Sequence, residues 1–501
     1  MHESLSRAKA ILLATHFAST GDINSFGLHA ATCLSILRTE LLLRIILTHL
    51  PETLNPSEYT PLLQSIYDGS IETEYNPDAQ DVDASAVGLL SEEQALRRVK
   101  KLRLLRLACA DAPTTSDDDP LTLFLFHRSL KIDRDAGMIN LVPELLVPFV
   151  SHSDAIRNWL VSTIIPLSRR NFEYHPETSD LLSISHFQEL PDAAAVDYLL
   201  SETSQHNARE GTIGRDLRGL LGPWLHHSAR WPEKVDPARA PGWAHLLRWL
   251  LLQASHSWRV AVQTLEEYNG PADVDLGQVT VPHPQDTKID HLLHSYLRAA
   301  MASSYSIPDS TVEGLGGSWR ILTRVCALLD SGERLKTLEV EAQTMPDIPA
   351  NDMVANKVAA SSLRNDLLEE TNPMTTPNAS AIRVLRGVIL SAFLLNRLGS
   401  SCSVRSAGEL MLLRDSAEQK SEFLKVVRLA ANNPHKKDDA YWSGVRNDVL
   451  WLHSWNSDPS AEAAGTGLFG MVPRRDLEIE ILKAMLAASR KLLHWAFSSA
   501  C

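Results

Sequence analysis

Apolar residues recur at helical spacing along the chain, in short runs that polar breaks separate. The first run predicts a helix over about Leu5–Ser19, with Gly21 in the position that ends a helix and Asp22 as the N-cap of the next one. Because the predicted helices are short and apolar on more than one side, none would be stable alone in water. They must bury these faces on neighbouring helices.

The sequence also marks the boundaries of the next helices. Thr39 is placed to cap a helix over Glu40–Leu50, and Pro51 ends that helix because proline cannot continue it. The Asn-Pro-Ser sequence at 55–57 then starts another helix at Glu58. Such a succession of short helices is typical of a solenoid, in which each unit packs on its neighbours.

Breaks rich in acidic residues, proline, glycine or serine divide the chain into apolar blocks, and only Gln278–His283 has an extended pattern. At roughly 40 residues per helix pair, the chain would hold on the order of a dozen pairs, without a strict sequence repeat. We predict an all-α fold, an irregular α-solenoid of stacked helix pairs. The breaks lie at 68–88, 111–120, 201–214, 228–242, 269–290, 305–317, 343–353, 370–380, 431–440 and 456–475.

The composition is that of a folded protein, with 44% hydrophobic and 22% charged residues among 501. This length exceeds one ordinary core and fits several domains or one extended stack. The formal net charge of −13 disfavours a general attraction to nucleic acid or anionic lipid, although local basic patches can exist.

The cysteines lie far apart, and no Cys-X-X-Cys pair occurs. This pattern indicates reduced thiols in the cytosol rather than a disulfide framework. In apolar helical stretches a cysteine packs as a small hydrophobic residue. The cysteines are Cys33, Cys109, Cys326, Cys402 and Cys501.

No apolar run reaches the length of about 20 residues that crosses a bilayer. The longest are Leu41–Leu47, which Arg44 interrupts, and Gly387–Leu395. Residues 8–14 have the composition of a weak signal core, but His16 interrupts them and no cleavage sequence follows, so we predict a buried helix. Membrane association is therefore expected only through partners.

No nucleotide-binding, metalloprotease, serine-hydrolase or kinase motif occurs. His226 and His227 would point about 100° apart on a helix, so zinc would need ligands from elsewhere. Asp273 and Asp275 resemble the start of a calcium loop, but Gln278 stands where glycine is required. We predict no catalytic, cofactor-binding or metal-binding residue and no enzyme activity. A deep polar cleft with converging carboxylates or histidines would favour the opposite.

The basic run Arg-Arg-Val-Lys-Lys-Leu-Arg at 97–103 is the clearest candidate partner site. On a continuous helix Arg97 and Lys101 would lie together and Arg106 nearly opposite, so the charges would surround the helix. A solvated helix, partly neutralised by nearby glutamates, is the favoured interpretation, and a lipid or nucleic-acid site is the alternative.

Trp442, Trp451 and Trp455 form an aromatic group near the C-terminus, with the last two spaced one helical turn apart. Large aromatic side chains at this spacing usually belong to a core. An interface with a partner is the alternative interpretation.

Several stretches in a fixed order are similar to one family, the fungal Sec-thirty-nine domain proteins, whose animal relative is the neuroblastoma-amplified-sequence protein. The resemblance covers roughly residues 5–490. It implies one α-solenoid domain over residues 1–490, followed by a divergent tail at 491–501. Its motifs resemble packing devices: Gly219 and Gly222 for close approach or a helix end, Pro223 to start a segment, and Trp224 for a buried contact. The stretches are Glu40–Thr53 with 56–63, Gly214–Trp224, Trp249 through Asn269–Gly277, Arg405–Leu410, Tyr441 with Trp442, and Leu468–Gly470.

The resemblance implies a non-enzymatic scaffold subunit of a Dsl-type tethering complex, peripheral on the cytoplasmic face of the endoplasmic reticulum. Such a subunit links another tether subunit to ER SNAREs and helps to capture COPI vesicles in Golgi-to-ER retrograde transport. The alternative is a helical adaptor in another pathway, such as RNA surveillance. Because the net charge is negative, that adaptor would act through protein partners and not through direct RNA contact.

Members of this family are usually longer, so we expect a C-terminally truncated chain. A helical stack that ends without a polar capping repeat exposes an apolar face. The residues expected on that face are Leu482, Met485, Leu486, Leu492, Leu493 and Trp495.

Overall fold

The computed structural model describes residues 5–75, 82–113, 118–203, 211–227, 241–279, 286–330, 334–348, 360–433, 438–455 and 467–498. Within these ranges the chain consists of helices, turns and irregular segments and contains no β-strand, which confirms the all-α prediction. Of the predicted extended segment, Gln278 lies in a turn, and residues 280–283 lie outside the described residues.

Several neighbouring helices are joined by short connections. Some of them pass directly into wider π-helical turns, at Ile132–Ala136, Leu160–Ile164, Arg169–Tyr174 and Leu217–Leu221. Short 3-10 turns occupy Ile139–Leu141, Val147–Phe149 and Ala360–Leu363. The α-helices are α1 Arg7–Thr20, α2 Ile23–Thr32, α3 Thr39–His49, α4 Pro56–Asp68, α5 Ile71–Glu74, α6 Ser85–Gly88, α7 Glu92–Lys101, α8 Pro120–Lys131, α9 Val142–Leu146, α10 Asp154–Trp159, α11 Ile165–Ser168, α12 Ile184–Glu189, α13 Asp192–Leu199, α14 Thr212–Asp216, α15 Gly222–Leu225, α16 Gly242–His256, α17 Trp258–Glu267, α18 Asp286–Ser306, α19 Val312–Leu328, α20 Leu338–Thr344, α21 Ala379–Arg397, α22 Val404–Met411, α23 Ser416–Asn432, α24 Asp439–Ser454 and α25 Arg474–Ser498.

The chain forms two compact units and passes between them more than once. The points of passage lie in or beside the breaks predicted at 201–214, 228–242 and 269–290. The first unit comprises Met1–Glu202, Asp216–Gly242 and Val274–Pro282, and the second comprises Thr203–Arg215, Trp243–Asp273 and His283–Cys501.

The first helix boundaries follow the local sequence signals. Gly21 ends α1 with a φ of 75°, a left-handed conformation that favours glycine. Asp22 caps α2, because its side chain accepts a hydrogen bond from the Ser25 N–H. Both predictions are confirmed.

Two other boundary predictions need correction. Thr39 is the first residue of α3 and not its cap, since Arg38 holds the N-cap position and makes no side-chain capping bond. The side chain of Asn55 caps α4, which therefore begins at Pro56, two positions before the predicted start. Proline suits this position because N–H groups in the first turn of a helix have no acceptor within the helix, so the absence of an N–H on proline costs no hydrogen bond.

The core of the first unit forms around α3. Most apolar residues of this helix are buried, and it packs on α1 and α8. Helix α1 also contacts α2 and α7. Leu13 and Ala14 of α1 are almost fully buried, so the apolar run at 8–14 is part of this core, as predicted. Tertiary burial, rather than intrinsic helix stability, holds these short helices together.

The core of the second unit forms around α21, which packs on α19, α20, α22 and α24. Among the described residues this is the one helix long and apolar enough to cross a membrane by length and composition. It includes the run Gly387–Leu395, and 67% of its apolar window is buried inside the protein. Burial of this kind is typical of the central helix of a helical core.

Candidate functional site

A cleft of about 800 Å³ opens on the first unit. Its walls come from the start of α4, from the α9 region, from the helical run around α11, and from a short segment before residue 280. A cleft of this size is large enough for a small molecule or a few residues of a peptide. It is lined by Asn55, Ser57, Thr60, Pro143, Glu144, Val147, Pro148, Ile165, Ser168, Arg169, Glu173, Leu276, Gly277, Gln278 and Val279.

The charged groups of this cleft are few and do not converge. Nη1 of Arg169 donates hydrogen bonds to the carbonyl oxygens of Gly219, at 3.0 Å, and Asp275, at 2.7 Å. This guanidinium therefore holds the segment around Asp275 on the helical run beneath it. The carboxylates of the lining belong to Glu144 and Glu173, which are both exposed, and the lining includes neither histidine nor cysteine.

A second, smaller cavity of about 190 Å³ lies on the second unit, along α18. Its lining consists of Asp290, His291, His294, Arg298 and Glu370. Burial lowers the pKa of the Arg298 guanidinium, and the charge of Glu370 opposes this shift. In the part of the chain that the structure describes, no group of three or more His, Cys, Asp or Glu could hold a metal ion.

The two metal candidates from the sequence have ordinary structural surroundings. His226 and His227 follow the end of α15, the first half-buried and the second exposed. The carboxylate of Asp273 accepts hydrogen bonds from the backbone N–H and side-chain amide of Asn269. The carboxylate of Asp275 accepts one from the Gly277 N–H. Both aspartates therefore stabilise local turns.

The Gly-Leu-Leu-Gly-Pro-Trp motif at 219–224 is a packing device, as predicted. A Cβ at Gly219 would overlap the ring of Tyr174, and one at Gly222 would lie 3.1 Å from Val274. Pro223 lies in the first turn of α15, and the Trp224 side chain is buried. The two glycines allow helical turns to approach their neighbours closely.

The motif around Pro51 also has a structural contact. The buried guanidinium of Arg128 donates hydrogen bonds to the carbonyl oxygens of Leu50, at 2.9 Å, and Pro51, at 2.6 Å. It also lies 3.8 Å from the carboxylate of Glu52 and over the ring of Tyr59. The sequence analysis missed Arg128, although an arginine inside an apolar run of α8 is the signal that could have revealed it.

Two of the motifs that carry the resemblance, at 219–224 and around Pro51, thus lie in packed positions. A model of the family described as secretory pathway protein Sec39 matches residues 11–497. The chain belongs to the Sec39 family. This match confirms the family that the sequence resembles and assigns the chain to the secretory pathway. Among curated protein sequences, none matches the chain significantly.

The basic run of this Sec39-family chain differs from its prediction. Helix α7 ends at Lys101, and the chain continues as an irregular segment over 102–106, so Arg106 does not lie on the same helix. The helical cations Arg97, Arg98 and Lys101 are exposed, while Ala95 faces the core. The predicted arrangement of charges all around one helix is therefore wrong. The cations share the solvent side.

The tryptophan group of the Sec39-family chain belongs to the core of the second unit. Trp442, Trp451 and Trp455 are buried, and the last two stack with ring centroids 6.0 Å apart. The indole N–H of Trp451 donates to the carbonyl oxygen of Pro346, at 3.0 Å. The core interpretation is confirmed.

The cysteines of the Sec39-family chain within the described residues are thiols and not disulfides. Burial raises the pKa of Cys33, and it raises that of Cys402 to about 12. A thiol with a raised pKa is protonated at neutral pH and is a poor nucleophile. No disulfide links Cys33, Cys109, Cys326 and Cys402 in the described part of the chain, and Cys501 lies outside the described residues. The reduced state of the thiols stays a prediction.

Helix α25 carries part of the apolar face that was expected at the C-terminal end of this Sec39-family chain. Leu482 and Leu486 are exposed, Ile479 lies on the same side, and Met485 is half-buried. The side chains of the other expected residues, at 492, 493 and 495, lie outside the described residues. An exposed row of this kind is typical of a protein-contact surface.

Proposed function

We propose that this chain is a non-enzymatic scaffold subunit of a vesicle-tethering complex at the endoplasmic reticulum. It acts in Golgi-to-ER retrograde transport of COPI vesicles and links another tether subunit to ER SNAREs. Its place is peripheral, on the cytoplasmic face of the membrane, which it reaches through these partners. The observation that carries the proposal is the Sec39 family match over residues 11–497.

Two features of the structure support a scaffold role: hydrogen bonds from buried arginines inside the first unit, and exposed helix surfaces. Inside the first unit the guanidinium groups of Arg128 and Arg170 donate hydrogen bonds to backbone carbonyl oxygens and so hold neighbouring segments together. Some helices, such as α7 and α23, bury one face and leave the other in contact with solvent. Such helical surfaces are well suited to hold extended partners.

Affinity isolation of the tagged full-length chain from gently crosslinked cells tests this proposal. We expect quantitative mass spectrometry to show enrichment of Dsl-type tether subunits together with ER SNAREs, compared with cells that express the tag alone. A chain that enriches neither class of protein would contradict the proposal. Enrichment of tether subunits without SNAREs would contradict the linking role in particular.

A further inference from the structure

A cluster of exposed cations on the first unit, here called the basic ridge, extends from α7 into the segment that follows it. Arg97 has an i,i+4 partner, with its guanidinium 3.7 Å from the carboxylate of Glu93. The other cations form no ion pair with any described residue. The basic ridge consists of Arg97, Arg98, Lys100, Lys101, Arg103 and Arg106, all exposed.

The segment after α7 is held in place although it is not helical. Nε of Arg44 donates a hydrogen bond to the carbonyl oxygen of Leu105, at 2.9 Å, and the Leu105 N–H donates to the Thr48 hydroxyl, at 3.0 Å. Nδ1 of His127 donates to the carbonyl oxygen of Arg106, at 2.9 Å. These bonds fasten the backbone to α3 and α8. The backbone that carries the cations after α7 is therefore already ordered before a partner binds. This order reduces the conformational entropy that is lost on binding.

Exposed apolar side chains accompany the cations. Leu89, just before α7, is 99% exposed, and Leu96 within α7 is 47% exposed. Leu96 lies one helical turn before Lys100, so the two side chains are neighbours on the helix surface. Leu89 is therefore not used in the core of the first unit, and Leu96 leaves about half of its side chain accessible to a partner. A ligand that matches this surface must combine negative charge with apolar side chains.

We propose that the basic ridge binds a short acidic segment of a partner protein, in which Asp or Glu residues alternate with apolar residues. This inference rests on the proposed function, since it names the chemistry by which the scaffold recognises one partner. The charge of the ridge is complementary to such a segment, and close opposite charges steer association. The exposed leucines supply the apolar contact.

A short peptide fits the ridge better than an anionic bilayer does. The whole chain carries a formal net charge of −13, and Glu92 and Glu93 are exposed in the first turn of α7. A bilayer presents negative charge over a wide plane and would bring these and other carboxylates close to lipid headgroups. A short peptide contacts only the ridge. Carboxylates farther from the peptide than about one Debye length, roughly 8–10 Å, are screened by salt and repel it little.

The test uses the full-length chain and a matched pair of charge reversals. One variant combines Arg98→Glu, Lys100→Glu and Lys101→Glu in the ridge. The control variant combines Arg364→Glu, Arg428→Glu and Arg475→Glu, three exposed arginines of the second unit, and changes the net charge equally. Circular dichroism and the thermal midpoint verify that both variants are folded.

Two probes separate the possible ligands. The first is a fluorescent synthetic peptide of alternating Glu and Leu, with a Lys-Leu peptide as its counterpart. The second is a vesicle of phosphatidylcholine with or without phosphatidylserine. We expect the Glu-Leu peptide to bind the wild-type and control chains, more weakly as salt increases, and to bind the ridge variant about tenfold more weakly or worse. The Lys-Leu peptide should not bind.

Equal peptide affinity of the ridge and control variants would overturn the inference. So would binding of the wild-type chain to phosphatidylserine vesicles that exceeds its binding to the peptide, since the ligand would then be a membrane. Affinity isolation distinguishes this failure from that of the proposed function. If the ridge variant still enriches every partner that the wild-type chain enriches, the ridge inference fails while the scaffold role stands.

Discussion

Buried arginines are the residues that most clearly connect the sequence motifs to the packing of the first unit. Arg128 and Arg170 are almost inaccessible to solvent, and each guanidinium binds backbone carbonyl oxygens. A buried charge is costly unless hydrogen bonds and neighbouring groups compensate it. The carbonyl groups of Leu50 and Pro51, just after the end of α3, have no partner within the helix. They accept hydrogen bonds from the Arg128 guanidinium and so offset the cost of burying its charge.

Replacing Arg128 tests this contact. We expect Arg128→Ala to lower the free energy of unfolding by about 3 kcal/mol, because it leaves the carbonyl groups of Leu50 and Pro51 without their donor. The matched control is Arg134→Ala, which removes an exposed arginine paired with Asp135 and should cost less than about 1 kcal/mol. Urea denaturation followed by circular dichroism measures both. Similar losses in the two variants would contradict a structural role for Arg128.

Residue-scale predictions succeed where the cause is local. Gly21 and Asp22 act within one turn of the residues that they cap, so the sequence contains all the necessary information. The role of Arg128 depends on a contact with Leu50, which is distant in the chain. A sequence shows that an arginine interrupts an apolar run, but only the packing of α8 beside α3 shows which carbonyl groups it reaches.

At the scale of helices, glycine controls how closely α21 approaches the tryptophans of the second unit. A Cβ at Gly387 would overlap the ring of Trp455, which is fully buried. Gly444, in α24, is exposed, and a Cβ added there would have no neighbouring side chain or loop atom within 4 Å. The two glycines therefore form a natural pair, one required by packing and one replaceable.

The pair predicts opposite effects of the same substitution. Gly387→Ala should destabilise the protein by about 1–3 kcal/mol, because the added methyl group overpacks the core against Trp455. Gly444→Ala should stabilise it by about 0.5–1 kcal/mol, since alanine favours an exposed helix interior. Thermal denaturation gives the sign of each effect. Stabilisation by Gly387→Ala would show that α21 does not pack closely on Trp455.

Helix content was more predictable than helix ends and helix contacts. Apolar runs together with the residues that end helices sufficed for α1 and α3, because most of their apolar residues are buried in consecutive turns. The end of α7 at Lys101 was missed, because Leu105 is held by the side chains of Arg44 and Thr48 from another helix. The cleft of the first unit was missed for the same reason, since its lining comes from four separate stretches of the chain.

At the scale of the whole molecule, the features agree with a protein that contacts other proteins. The chain is acidic and helical, and it matches a secretory pathway family over residues 11–497. Its surface nevertheless has a local basic ridge and an exposed apolar row on α25. Two chemically different surfaces are what a scaffold with two different partners requires.

Reconstitution from purified proteins tests the linking role most directly. The full-length chain would be mixed with the cytosolic part of an ER SNARE and with a Dsl-type tether subunit, and the mixture analysed by size-exclusion chromatography with light scattering. The proposed function predicts one complex that contains all three proteins, with both partners bound to the chain at once. Elution of the chain without either partner, or displacement of one partner by the other, would contradict it.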